Sequence, residues 1–198
     1  PQAQVVVTGV NRPNIKLARL HNVGDVLRYT IIGKLLEAMP PGRAMLFVPT
    51  VKAGTQLQHG LRSVGLDLPF YHSRMGAAND RAMLLARFTG RGAPPVNVII
   101  CTNAFGMGLD LPDVRLVVNL HHPASVEDYL QEFGRAGRDG APSVAVLFTG
   151  PKDEGLLRFM AKKTVELANT DPITKTETLA AKYLAIEDMH NMATAHHA

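Results

Sequence analysis

Cysteine is nearly absent: Cys101 is the single one in 198 residues. One thiol excludes an intrachain disulfide and a cysteine-rich zinc site, and it fits a reducing compartment. Long apolar runs are missing too, so nothing approaches the roughly 20 residues that a membrane span needs. No basic N-terminal segment leads into an apolar stretch, as a secretory signal would. These absences predict an intracellular protein, in cytoplasm, nucleoid or nucleus, with no membrane partner. There is no internal repeat and no low-complexity tract. The phosphate-cradling pattern Gly-x-x-x-x-Gly-Lys-Ser/Thr occurs nowhere. A strong charge imbalance is also lacking. The formal net charge of +4 is compatible with a nucleic-acid partner without requiring one.

What is present is a globular composition, 46% hydrophobic and 19% charged, with length for one domain and an appendage. The start at Pro1 rather than methionine suggests a fragment or processed product. Strand and helix patterns alternate along the chain. A short apolar run at Val5 to Val7 precedes the turn-like Asn11-Arg-Pro-Asn14. Strands are expected at Ile15 to Leu20, Ala44 to Val48, Leu68 to Tyr71, Val96 to Cys101, Arg115 to Leu120 and Val144 to Phe148. Helices are expected at Val23 to Met39, Val51 to Val64, Ala78 to Phe88 and from Ser125 onward. In the first, Val26, Leu27, Thr30, Ile31, Leu35 and Met39 would share an inward face. In the third, Met83, Leu84, Leu85 and Phe88 would.

This alternation predicts an α/β fold, a parallel sheet with helices on both faces. Ligands of such sheets bind outside the carboxyl ends of the strands. Function is therefore expected at Pro49-Thr50, at His72 to Met75, at Thr102 to Asp110 and at the start of the helix after Arg115 to Leu120.

That helix runs into Gln131-Glu-Phe-Gly-Arg-Ala-Gly-Arg-Asp-Gly140. Ser125 fits a cap with Asp128 three residues on. Val126, Tyr129, Leu130 and Phe133 form an apolar stripe. Gln131, Arg135 and Arg138 fall at offsets of four and seven and would form a second helical stripe. Gly134 and Gly137 cost about 1 kcal/mol each inside a helix and need a reason. Two arginine forks side by side suit a polyphosphate. A solvated basic helix closing at a glycine cap is the alternative.

Thr102-Asn-Ala-Phe-Gly-Met-Gly-Leu-Asp110 combines a hydroxyl, two flexible glycines, Gly106 and Gly108, and a carboxylate able to accept from a ribose. A plain strand-to-helix loop with a glycine turn is the competing reading.

Together, Val98 to Asp113 and Val126 to Gly140 resemble motifs V and VI of RecQ-type ATP-dependent DNA helicases, superfamily 2. Asn11-Arg-Pro-Asn14 resembles the segment leading into that family's second motor domain. Ala44 to Thr50 resembles the motif IV region, and Phe70-Tyr-His-Ser73 the Tyr-His-Ala-Gly segment after it. The resemblance covers roughly residues 10 to 150. It implies a RecA-like, P-loop NTPase-type second motor domain over residues 1–150, with residues 1–14 as linker. A DEAD-box RNA helicase would instead spell motif VI His-Arg-x-Gly-Arg-x-Gly-Arg.

The resemblance implies roles. Arg138, with Arg135, would reach the γ-phosphate of ATP as an arginine finger, and Gln131 would couple nucleotide state to domain closure. Asp110 would approach the ribose, with Gly108 in the same nucleotide-binding loop. Thr50, Thr102, Asn103 and Gly106 would hold the backbone of a DNA strand tracked 3′ to 5′, with His72, Ser73 and Arg74 on the strand-facing side. Ser73-Arg74 departs from the family's Ala-Gly. Arg74 adds a phosphate contact or is an exposed charge, and His72 is a strand contact or a structural histidine.

Neither a phosphate-cradling loop nor an Asp-Glu-x-His box is present. ATP and Mg2+ are therefore expected mainly on a first RecA-like domain in cis, the isolated chain being monomeric and inactive. The implied partners are single-stranded DNA and duplex junctions. A non-enzymatic nucleic-acid or protein-binding module, or half of an RNA helicase, are the alternatives. Residues 151–198 read as a helical extension, with helices at Glu154 to Asn169 and Thr176 to Met192 broken by Asp171-Pro172. In the second, Leu179, Tyr183, Leu184 and Met189 are the expected buried side. No zinc ligands follow. His190, His196 and His197 read as a tail rather than a metal site.

Overall fold

The computed structural model describes residues 12–102, 105, 109–123, 125–150, 153–167 and 171–194, excepting the side chains of 154, 167 and 188–194. The apolar run at Val5 to Val7, Asn11 and the terminal histidines lie outside that description. Six strands form one sheet: β1 (Ile15–His21), β2 (Arg43–Val48), β3 (Phe70–Tyr71), β4 (Val98–Thr102), β5 (Val114–Asn119) and β6 (Ser143–Thr149). Their order is β1-β6-β5-β2-β4-β3, and every pairing is parallel. The interleaved helices are α1 (Asp25–Ala38), α2 (Val51–Ser63), α3 (Ala78–Phe88) and α4 (Val126–Phe133), followed by α5 (Asp153–Leu167) and α6 (Pro172–Thr194). The expected α/β architecture, a parallel sheet with helices on both faces, is the one observed.

The period of two along each strand divides the core. Met45, Phe47, Ile99, Cys101, Val117, Ala145 and Leu147 face α3 and α4, meeting Leu84, Phe88, Tyr129 and Phe133. Ala44, Leu46, Val48, Ile100, Val118, Val146 and Phe148 face α1 and α2, meeting Ile32, Leu57 and Leu61. Both sides of the central strands are therefore apolar, which explains why their sequences read as unbroken hydrophobic runs.

Two helix faces differ from expectation. In α1, Val26 and Leu27 are 76% and 56% exposed, while Ile32 is fully buried. Apolar residues occur on most sides of α1, so periodicity alone selects no face. In α3, Leu84 and Phe88 are buried but Met83 points outward. The α5–α6 hairpin buries Leu157, Ala161, Val165 and Ile186, with Leu179 and Tyr183 partly covered. Leu184 is exposed rather than inward. Asp171 caps α6, accepting from the backbone amides of Ile173 and Thr174 at 3.0 Å each. No described helix is long and apolar enough to cross a membrane.

Phe47, on the central strand β2, is fully buried between α3 and α4. Phe47→Ala is expected to cost about 3–5 kcal/mol of unfolding free energy. Chemical denaturation would show this as a lower midpoint with an unchanged slope.

Candidate nucleotide and nucleic-acid sites

The arginines do not share a helix face. After Phe133 the hydrogen bonding tightens, with the amides of Arg135 and Ala136 donating to Glu132 and Phe133 carbonyls at 3.3 and 2.9 Å. Gly137 then takes φ +53°, and its amide turns to the Val114 carbonyl at 2.7 Å. A Cβ there would lie 2.5 Å from Asn14 Nδ2 and 2.6 Å from Ser143 Oγ, so glycine is required. Gly134 likewise leaves room for the Leu130 carbonyl, 2.5 Å from where a Cβ would sit. Gln131, exposed on α4, and Arg135 and Arg138, on the turn, are therefore not one stripe.

The reason lies far away in sequence. Arg12 donates to the carbonyls of Gly134 at 3.3 Å and of Ala136 and Gly137 at 2.7 Å each. Asn14 Nδ2 donates to the carbonyls of Gly137 and Ala141 at 2.8 and 3.0 Å. Carbonyls that would accept from a continuing helix are taken by the chain ahead of β1. Arg115 pairs both guanidinium nitrogens with the Asp139 carboxylate at 3.0 and 2.5 Å, closing the far end of the turn. This contact holds the Asp139 carboxyl below its ordinary range.

Arg135, Arg138, Met45, Leu109, Leu111 and Val114 line one crevice. Arg138 Nη1 reaches Asp110 Oδ1 at 3.1 Å and the Leu109 carbonyl at 3.4 Å. Asp110 is 85% exposed, so that ion pair contributes little stability and is open to exchange with another anion. Arg135 is half-buried, and burial, then the neighbouring Arg138, lower its affinity for its proton. Two guanidiniums and a ribose-sized acceptor thus converge. Gly108, from the same loop, lies outside the described residues.

The strand-contact candidates lie at the opposite edge. The arginine turn bonds to the starts of β1 and β5, whereas Thr50, His72 and Thr102 follow or end β2, β3 and β4. Those three strands are adjacent, so the residues span two strand spacings, roughly 10 Å. The Thr50 hydroxyl caps α2, accepting from the Ala53 amide at 3.1 Å. His72 stacks obliquely on Phe70 at 4.5 Å, and its Nδ1 accepts from the Arg74 amide at 3.2 Å. Partial burial, then Arg74, lowers the His72 pKa. Ser73 and Arg74 are exposed, and Arg81 holds their loop through the Met75 and Ser73 carbonyls at 3.0 and 3.3 Å. Asn103 and Gly106 lie outside the described residues.

Several contributors were not signalled by pattern. Phe105 is buried between Tyr71 and Phe88, with centroids 4.7 and 5.6 Å away. Beside Thr50, a recess of about 520 Å³ is lined in part by Arg28, Tyr29, His121 and Asp153. Burial, then His122, lowers the His121 pKa to about 3, so its ring stays neutral. Glu132, beside the arginine turn, is 4% exposed and receives a hydrogen bond from Asn119. Burial pushes its carboxyl up to about 8.

A model of the helicase conserved C-terminal domain matches residues 27–140. The chain is 38% identical over 149 residues to a probable ATP-dependent DNA helicase RecS of Bacillus subtilis, covering 74% of this chain and 29% of that protein. It is 37% identical over 154 residues to the ATP-dependent DNA helicase RecQ of a Synechocystis strain, covering 72% and 31%. It is 45% identical over 101 residues to human ATP-dependent DNA helicase Q4, covering 51% and 8%. It thus spans less than a third of these relatives. Among solved structures, S. cerevisiae Dbp5 bound to RNA and ADP BeF3 superposes with a TM-score of 0.62 at 26% identity, covering 82% of this chain and 43% of that one.

Two outcomes are expected. Arg12→Ala, which removes one donor from each of three carbonyls and leaves Gly137's to Asn14, should lower stability by about 2 kcal/mol, measurable by chemical denaturation. Glu132→Gln should change the pH dependence of stability. The native carboxyl holds its proton up to about pH 8 against an ordinary value of 4.5. The native state therefore binds more protons between those values, and wild-type stability falls as pH rises through that window. His121 acts in the opposite sense below its ordinary 6.5, so the comparison with Glu132→Gln isolates the glutamate. The variant should lose the downward slope and be the more stable protein at the alkaline end.

Proposed function

This chain belongs to the helicase conserved C-terminal domain family, and on that premise we propose that it is the second motor domain of a RecQ-like ATP-dependent 3′–5′ DNA helicase. The observation that carries the proposal is the anchored turn presenting Arg135 and Arg138 in one crevice with Asp110 at its mouth. Phosphoryl transfer develops charge on equatorial oxygens, and catalysis is mostly positioning and electrostatics. A guanidinium whose backbone is fixed beforehand suits that task.

Arg138 is the arginine finger, exposed and held by the exchangeable Asp110 contact and a 3.4 Å bond to the Leu109 carbonyl. Arg135 supports it from the half-buried side of the crevice. Asp110 turns to the ribose when Arg138 engages phosphate, and Gly108 belongs to the same loop. Gln131, exposed on α4, lies where a facing domain would register closure. Among the described residues, no three histidine, cysteine or acidic side chains cluster to hold a metal. Mg2+ and most of the ATP grip belong to a first RecA-like domain in cis. At the other edge, Thr50, Thr102, Asn103 and Gly106 hold a DNA strand through its phosphates, with His72, Ser73 and Arg74 beside them. Backbone contacts of this kind grip a strand without reading sequence. DNA rather than RNA is favoured by the Gln-Glu-Phe-Gly-Arg-Ala-Gly-Arg spelling and by the named relatives. The chain alone hydrolyses no ATP.

The test mixes this chain with a separately made RecQ-type first motor domain and measures ATPase activity with single-stranded DNA. Wild type should be active in the mixture and silent alone. Arg138→Ala should lower kcat about a thousandfold or more. Equal activity in both would remove Arg138 from the finger role and point to Arg135. Association without any activity would favour a non-enzymatic binding module.

A further inference from the structure

We propose that Glu132 is a positioning residue for the arginine turn, working as a neutral acid whose pairing with Asn119 ties the end of α4 to β5. The inference rests on the arginine-finger reading above and adds a residue to it. Asn119 closes β5 and is fully buried, and Glu132 is the penultimate residue of α4. Asn119 Nδ2 donates to Glu132 Oε2. The pair's other two oxygens, Asn119 Oδ1 and Glu132 Oε1, are buried and without a hydrogen-bond partner.

Two leftover acceptors on an already bonded amide–carboxyl pair mark a missing proton. A carboxylic acid and a primary amide can close a ring of two hydrogen bonds, N–H to one acid oxygen and acid O–H to the amide oxygen. One proton on Oε1 satisfies both oxygens at once. An ionised Glu132 leaves both unsatisfied and buries a charge.

Burial is the largest influence and favours the neutral acid, and Asp128, on α4, acts in the same direction, against the Asn119 hydrogen bond and Arg135, on the turn, which favour ionisation. Cys101, on β4, is pushed well above its ordinary range by burial, then by Glu132. Tyr129, on α4, is raised to about 12 by burial, then by Glu132, so both stay neutral. Arg135 is the cation of this group. An ionised Glu132 beside it would hold the guanidinium inward as a buried ion pair. The neutral pair ties the end of α4 to β5, three residues before Arg135.

The test uses the complex of this chain with a RecQ-type first motor domain, following single-stranded-DNA-stimulated ATPase from neutral to alkaline pH. Wild-type kcat should fall on the alkaline side with a midpoint near pH 8. Glu132→Gln, whose amide closes the same ring and cannot ionise, should keep the neutral-pH rate and lack that fall. Glu132→Ala should lose about tenfold or more. A Gln variant as impaired as the Ala variant, or one retaining the alkaline fall, overturns the proposal. A purely structural carboxylate would give that result. The infrared carboxyl band of the chain alone is a second readout. A protonated-acid band at neutral pH that Glu132→Gln removes is expected, and its absence in wild type also overturns the proposal. If Arg138→Ala leaves ATPase intact, the finger reading fails by itself, and the infrared band still decides the state of Glu132.

Discussion

One guanidinium organises the arginine turn. Arg12 reaches across 124 residues of sequence to the Ala136 carbonyl and takes two further carbonyls beside it. Without that donor, the carbonyls of Gly134 and Ala136 would turn to a continuing helix or to water, while Asn14 would still hold that of Gly137. With it, the helix stops, Gly137 turns over, and the turn is fastened to the starts of β1 and β5. Among the described strands β1 pairs only with β6, and the residues just ahead of it, Arg12 and Asn14, hold the turn. A backbone fixed in this way is what electrostatic preorganisation demands of a group that must meet developing charge.

The sheet order separates two tasks. Strands β2, β4 and β3 carry the strand-contact candidates at their carboxyl ends. Strands β1, β6 and β5 support the arginine turn at their amino ends. The loop from Thr102 to Asp110 joins the two edges, beginning at the end of β4 and ending beside Arg138. Phe105 is wedged between Tyr71 and Phe88.

Buried polar groups concentrate around this axis. Asn119, Glu132 and Cys101 sit under the α4 face, and His121 beneath the recess beside Thr50. A core otherwise filled by Val, Ile, Leu and Phe favours the neutral forms of the three that ionise, and burial moves the pKa values of Glu132, Cys101 and His121 in that direction. Exposed charges such as Arg138 and Asp110 keep their mobility by contrast.

Alternating apolar periods and glycine or proline breaks were enough to read the parallel α/β sheet, its six strands and their order along the chain, because side-chain spacing is a local property. The RecQ-like spelling of Val126 to Gly140 pointed to the family before any coordinates. Local pattern could not choose which side of α1 packs inward, since Val26, Leu27, Ile31 and Ile32 are equally apolar. It placed Arg135 and Arg138 on a helix, because spacing cannot register a competitor for carbonyls more than a hundred residues away. It passed over Glu132, Asn119 and Phe105, each meaningful only through what packs against it. Composition and motif are written in neighbouring residues. The bend of the arginine turn, the exposure of Arg138 and the burial of Glu132 against Asn119 depend on contacts between distant segments, and the tertiary structure alone decided them.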